Sequence, residues 1–278
     1  MKKLIPLIVA TLSFLSIPAV AEDRVISIGG SVTETIYALE KGELLVGSDT
    51  TSYFPAAAAQ LPKVGYMRAL SSEGILSLKP SMILASEDSG PPTVLKQLKA
   101  TGVSLHEIKA AKTIADVKDN ILQIGTLLKV PDAANKLVKQ LDYKLEKLAS
   151  TKSNQTKTPR VLFLMNHGAS SPMVAGRETS ADAIIALAGG ENVAQNFIRY
   201  KPLTPESAAN LAPDVLLVSE QTLQQIGGTD KLLELPGMAL TPAGKARNIV
   251  TMDALLLLGF GPRTADAAIE LNGKLFQK

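Results

Sequence analysis

The chain has 278 residues, 46% hydrophobic and 20% charged, so it can bury a core and is too apolar for a disordered polymer. It has no cysteine, which excludes disulfides, thiolate metal sites and cysteine nucleophiles, and its two histidines leave little room for a multi-histidine metal centre. The formal charge is +3, too small to mark a nucleic-acid-binding surface.

Residues 1–21 read MKKLIPLIVATLSFLSIPAVA. Lys2 and Lys3 precede an apolar run, and Ala19-Val20-Ala21 is an A-x-A cleavage site. This is the anatomy of a secretory signal peptide, with a retained membrane anchor as the alternative. Cleavage after Ala21 leaves 27 basic residues against 26 acidic ones. The product is expected to be free in the periplasm, and the absence of cysteine at the cleavage site excludes a thioether lipid anchor.

Compact apolar runs at Val25–Ile28, Met82–Ala85, Val161–Met165, Asp214–Ser219 and Ile249–Met252 read as buried parallel strands. Helical patterns at Thr33–Lys41, Val94–Ala100 and Ala181–Ala188 lie between them, which predicts α/β architecture. Gly29-Gly30-Ser31 is a strand-to-helix turn with Ser31 as the expected helix N-cap. Pro131–Ser150 has Ala134, Leu137, Val138, Leu141, Leu145 and Leu148 at spacings of three and four, a long amphipathic helix. The polar stretch Thr151–Pro159 reads as a loop. The expected organisation is a signal peptide (1–21), an N-terminal lobe (22–129), a linking helix and loop (130–158) and a C-terminal lobe (159–278).

The two halves resemble each other. At a constant offset of 133, Glu73 matches Glu206, Leu78 matches Leu211, Pro80 matches Pro213, Leu84 matches Leu217 and Ser86 matches Ser219. Arg24-Val25 matches Arg160-Val161 at offset 136, and Thr33–Leu39 resembles Ala181–Leu187 at offset 148. Two copies of this size predict pseudo-symmetric lobes with a cleft between them, unlike the shorter units of solenoids.

No phosphate-binding loop, nucleophile elbow or H-E-x-x-H motif occurs, and no nucleophile–base pair stands out, so the protein is not expected to be an enzyme. Tyr66 and Arg68 lie in a loop segment just before the Ser71-Ser72-Glu73 helix start, and Gly65 permits a tight turn there. The matching stretch of the second half is Arg199-Tyr200-Lys201-Pro202-Leu203, which brings both loops toward the cleft. His167 follows the strand Val161–Met165, at the strand end where open α/β sheets hold ligands. His106 falls inside the expected strand Ser104–Ile108 and reads as structural.

Taken with the signal peptide, the duplicated lobes and the linking helix, the segment GYMRALSSEGILSLKPSMILAS resembles the periplasmic haem-binding proteins of bacterial ABC haem importers. These sit within a wider class that binds vitamin B12 and ferric siderophores. The resemblance spans the whole chain after residue 21. It implies the class III architecture, with two mostly parallel α/β lobes joined by a rigid helix and little closure on binding. It implies ferric haem b as the carried ligand, with Tyr66 as axial ligand to the iron. A hard ferric ion favours an anionic phenolate, and Arg68 could supply a stabilising charge or be a solvated loop residue. His167 is expected as a second iron ligand across the cleft, with a structural role as its alternative. Met67, Met173, Arg177 and Tyr200 are expected as cleft lining. Glu73 and Glu206 are expected to meet arginines of an inner-membrane ABC permease dimer, beside their ordinary value at helix N-termini. An outer-membrane haem receptor system is an indirect partner, and the protein is expected to be monomeric. The rivals are a binder of another large chelate, cobalamin or a ferric siderophore, and a secreted α/β hydrolase.

Overall fold

The computed structural model describes residues 23–165 and 172–276. The expected signal peptide lies outside them. The first half carries β1 (Val25–Ile28), β2 (Leu45–Ser48), β3 (Gly65–Tyr66), β4 (Ala69–Leu70), β5 (Met82–Ser86) and β6 (Ser104–Ile108). The second carries β7 (Arg160–Met165), β8 (Met173–Ala175), β9 (Glu191–Asn192), β10 (Tyr200–Pro202), β11 (Val215–Ser219) and β12 (Ile249–Met252).

The first sheet runs β2-β1-β5-β6 and is parallel throughout. The second runs β10-β8-β7-β11-β12, with β9 also on β7. Its β7, β11 and β12 are parallel, but β8 and β10 are antiparallel additions at one edge. The central strands β1, β7 and β11 are buried almost throughout, so they read as unbroken apolar runs.

Helices cover the sheets as the alternating pattern predicts, with shifted ends. The first spans Gly30–Ala38 and is capped by the backbone of Gly29 at φ 105, so Ser31 lies inside the first turn and is not the N-cap. A Cβ on Gly29 would also meet Ser86 Cβ at 3.0 Å, so glycine fits this crossover on two counts. The linking helix spans Pro131–Lys152, about 33 Å, so it takes the first two residues expected in the loop. Its buried residues Ala134, Leu141 and Leu148 belong to one apolar cluster that also contains Val25 and Leu84 of the first sheet and Phe163 and Leu217 of the second. The helix thus shares a core with both halves.

The duplication is visible in the contacts. Val25 pairs with Met82, and Val161 with Val215. Arg24 N donates to Ser81 Oγ at 2.8 Å and Arg160 N to Asp214 Oδ2 at 3.1 Å. Lys79 and Ala212, 133 residues apart, are both left-handed, at φ 48 and 42. Beyond the linking helix, polar contacts join the halves: Tyr53 Oη donates to Asp253 Oδ2 at 2.9 Å and accepts from Leu255 N at 2.9 Å, and Arg263 Nε donates to Glu34 Oε2 at 3.0 Å. The linking helix itself is tied to the second half by Lys144 Nζ, which donates to Asp266 Oδ2 at 2.7 Å.

Candidate functional site

The site is built on the hairpin β3–β4 at the rim of the first half. Gly65 at φ 105 takes a conformation that a side chain would strain, and Tyr66 pairs with Ala69 across the turn. The hairpin is fastened at three points. Thr50 N donates to Gly65 O at 2.9 Å, Gly90 N to Met67 O at 2.9 Å and Leu70 N to Gly90 O at 3.0 Å. Met67 and Arg68 form the turn between the two short strands. Tyr66 is 45% exposed and Arg68 is exposed. Met67 turns the other way, packs against the cluster of Ile26, Ile75 and Leu98, and places its sulfur 4.0 Å from Thr51 Oγ1. Met67 is half-buried there, packed on the edge of that core.

Arg68 Nη1 donates to Tyr66 Oη at 3.0 Å, and Nη2 contacts Asp88 Oδ2 at 3.2 Å. Burial works against the charge on Arg68. The hydrogen bond to Tyr66 and the charges of Tyr66 and Asp88 outweigh it and hold the guanidinium protonated above its ordinary range. Tyr200 of the second half comes within electrostatic range of Arg68. Burial raises the Tyr200 phenol above its ordinary pKa, and Arg68 opposes that rise. The structure therefore brings Tyr66, Arg68 and Asp88 together, with Tyr200 of the second half within electrostatic range of the Arg68 charge.

The other expected residues are placed as follows. Met173 pairs with Met165 and Pro202 at the carboxyl end of β7 and is half-buried. Arg177 is exposed and is bridged by its backbone to Ile198, and among the described residues no hydrogen bond or ion pair joins it to Tyr66 or Arg68. His167 lies outside the described residues. His106 sits within the edge strand β6 and contacts Ser104 Oγ through Nε2 at 2.8 Å. Glu73 and Glu206 are both exposed in the first turns of the helices Ser72–Ser77 and Pro205–Leu211. Those helices are capped alike, by Ser71 and Thr204 accepting from the N–H three residues on.

Sequence reasoning missed Asp88, which nothing in the local motif singles out. It also missed the joint at the back of the cleft. There Tyr53 Oη donates to Asp253 and accepts from Leu255 N at 2.9 Å, while Gln221 Nε2 donates to Asp253 Oδ2 at 2.8 Å. Burial is the main cause that pushes the Tyr53 phenol well above its ordinary range. Beside it, Arg263 pairs with buried Glu34 and stacks 3.5 Å from the Phe54 ring centroid. A hollow of about 300 Å³ lies here, bounded by Glu34, Phe54, Leu137, Lys144 and Arg263. Its charged walls are already paired, and it is separate from the Tyr66 rim.

Among the described residues no group of three or more His, Asp or Glu side chains is placed to hold a bare metal ion. Tyr66 is a single oxygen donor beside a fixed cation. That set suits a metal whose other positions are filled by a chelator that the ligand brings itself. Among the described residues, no helix is long and apolar enough to cross a membrane.

A protein-family model described as a periplasmic binding protein matches residues 25–256. The chain is similar to the periplasmic heme-binding protein RhuT from Roseiflexus sp. RS-1, solved in its apo form. The two are 39% identical with a TM-score of 0.89, over 92% of this chain and 98% of that one. It is 43% identical to the periplasmic heme-binding protein BhuT in complex with two hemes, with a TM-score of 0.86 over 91% of this chain and 97% of that one. The vitamin B12-binding protein of Yersinia pseudotuberculosis is 28% identical over 213 residues, 76% of this chain and 75% of its own.

Proposed function

This chain belongs to the periplasmic binding protein family, and from that premise we propose that it captures ferric haem in the cleft between its two lobes and delivers it to an inner-membrane ABC importer. The observation that carries the reading is an exposed phenol, Tyr66, held by a guanidinium at 3.0 Å, with Tyr200 of the other half within electrostatic range of that guanidinium. A phenol ionises near pH 10 when free. Ferric iron and the adjacent Arg68 charge together favour the phenolate, and iron already chelated by a porphyrin needs only one or two further donors. Tyr66 is the axial ligand in this reading, and His167 supplies the second bond or holds a second haem. Tyr200 and Met173 line the cleft.

The lobes (22–129 and 159–278) are joined by the segment 130–158, and the linking helix limits closure. Glu73 and Glu206 dock on the permease dimer. Their equivalent places on duplicated helices fit a partner with two-fold symmetry. Export follows cleavage after Ala21. The protein binds and releases its ligand without chemistry on it, as a monomer.

The deciding experiment is a hemin titration of the purified protein, followed by the Soret and charge-transfer bands, repeated with Tyr66→Ala and His167→Ala. A saturable spectral change in the parent that Tyr66→Ala abolishes is the expected result. A parent without saturable change overturns the haem reading, and an unaltered Tyr66→Ala overturns the ligand assignment. The second reading, cobalamin, is favoured by the similarity to vitamin B12-binding proteins. It predicts a saturable cobalamin titration indifferent to Tyr66. Charge reversal at both Glu73 and Glu206 is expected to abolish transport and spare binding.

A further inference from the structure

Asp88 stands at the turn after β5, with its carboxylate 3.2 Å from Nη2 of Arg68. The other arm of the same guanidinium donates to Tyr66 Oη at 3.0 Å. One rigid planar fork therefore spans a carboxylate and a phenol, and fixing one end orients the other. The backbone supports this arrangement, because Gly90, two residues past Asp88, is hydrogen-bonded to both Met67 and Leu70 of the hairpin. Both side chains of the ion pair are 54% exposed, so the pair adds little to folding stability and its consequence is geometric.

The duplicated half argues the same way. At the offset of 133, Asp88 corresponds to Gln221. Gln221 likewise stands just past a strand end and holds other groups in place: Asp253 through its Nε2 and Ala254 N through its Oε1. The position is a polar clamp in both halves. In the first half it acts on the cation beside an exposed tyrosine.

We propose that Asp88 is a positioning residue for Tyr66: it holds the Arg68 guanidinium against the phenol oxygen. The proposal rests on the reading of Tyr66 as iron ligand.

The test compares Asp88→Asn, which keeps an acceptor for Arg68 and loses the charge, with Asp88→Ala, which loses both. In the haem complex, Asp88→Asn keeps the parent charge-transfer band, while Asp88→Ala displaces it and speeds haem loss several-fold. In an Arg68→Gln background Asp88→Ala adds nothing further. The proposal is overturned if Asp88→Ala keeps the parent band and dissociation rate, if its effect is undiminished without Arg68, or if Asp88→Asn loses the parent band. If Tyr66→Phe keeps the parent haem spectrum, the ligand reading fails; a spectrum lost in Tyr66→Phe and kept in Asp88→Ala overturns the positioning role alone.

Discussion

The two halves agree at the amino ends of their strands and differ at the carboxyl ends. At the amino ends, β1 and β7 pair in register with β5 and β11, and each is preceded or begun by an arginine that ties the acidic helix to the sheet. At the carboxyl end of β1 the chain passes directly into the helix Gly30–Ala38. At the carboxyl end of β7 the offset grows from 136 to 148, and the added residues include β8 and the position of His167. β8 occupies the edge of β7 that β2 occupies on β1, and β9, the counterpart of β2, is cut to two residues. The frame has been kept twice, and the ends that face the cleft have been made different. Two facing surfaces that are unlike each other can hold a ligand by two distinct contacts.

The sharpest test of that asymmetry sets Tyr66→Phe against Tyr200→Phe. Tyr66 is 45% exposed and hydrogen-bonded to a guanidinium, whereas Tyr200 is mostly buried with its phenol raised by burial. Tyr66→Phe is expected to cost on the order of a thousand-fold in haem affinity, about 4 kcal/mol, and to remove the charge-transfer band. Tyr200→Phe is expected to cost only a few-fold and keep the band. Equal losses would mean that the two tyrosines play the same part.

A second contrast sets Glu34 against its counterpart at offset 148, Asp182. Glu34 is buried against Arg263, while Asp182 accepts from the neutral amides of Asn192 and Gln195. Arg263→Met strands a buried carboxylate and is expected to cost about 2–4 kcal/mol, reduced from full burial because Arg263 stays 23% exposed. Asp182→Asn is expected to cost about 1 kcal/mol. Burial, only partly offset by Arg263, raises the Glu34 pKa above the ordinary carboxylate range. The folded state therefore binds more protons in that window, and stability falls as pH rises through it. Arg263→Met removes the offset, so its cost in urea denaturation should be larger at about pH 8 than at about pH 5. A cost independent of pH would place the loss in the Phe54 stacking instead. Tyr53→Phe, which removes two hydrogen bonds of the joint, is expected to lower stability by about 1–2 kcal/mol in the same assay.

Much of this frame is legible in the residues. The strand runs and the constant offset of 133 locate the parallel sheet strands and both capped acidic helices, because buried strands and helix starts depend on local composition. Ser31 was misplaced because a positive-φ glycine ends the strand and starts the helix without any side-chain cap. Asp88, Tyr53 and Arg263 act on residues 20, 200 and 229 positions away, and no local pattern carries such pairings. The repeat did hold one unread signal: Asp88 and Gln221 share a register position, and both are clamps.

The smallest expected effect tests the part of the comparison where the halves agree. Arg24 donates to Leu78 O at 2.7 Å and to Lys79 O at 3.0 Å, covering the two carbonyls just past the Ser72–Ser77 helix. Among the described residues, the Arg160 side chain donates to one such carbonyl, Leu211 O, at 2.7 Å. Each bond is charge-assisted but exposed, which leaves roughly half to one kcal/mol apiece. Arg24→Ala is therefore expected to cost about 1 kcal/mol and Arg160→Ala about half that, read from urea midpoints at constant slope. Both lie at the amino ends of their strands, opposite the rim that carries Tyr66, so neither should move a hemin titration. An altered haem spectrum in either variant would show that the frame is not independent of the cleft. Equal costs would show that Arg160 is supported by more than the one carbonyl it reaches, and the kinship of the two halves would then be closer in energy than in geometry.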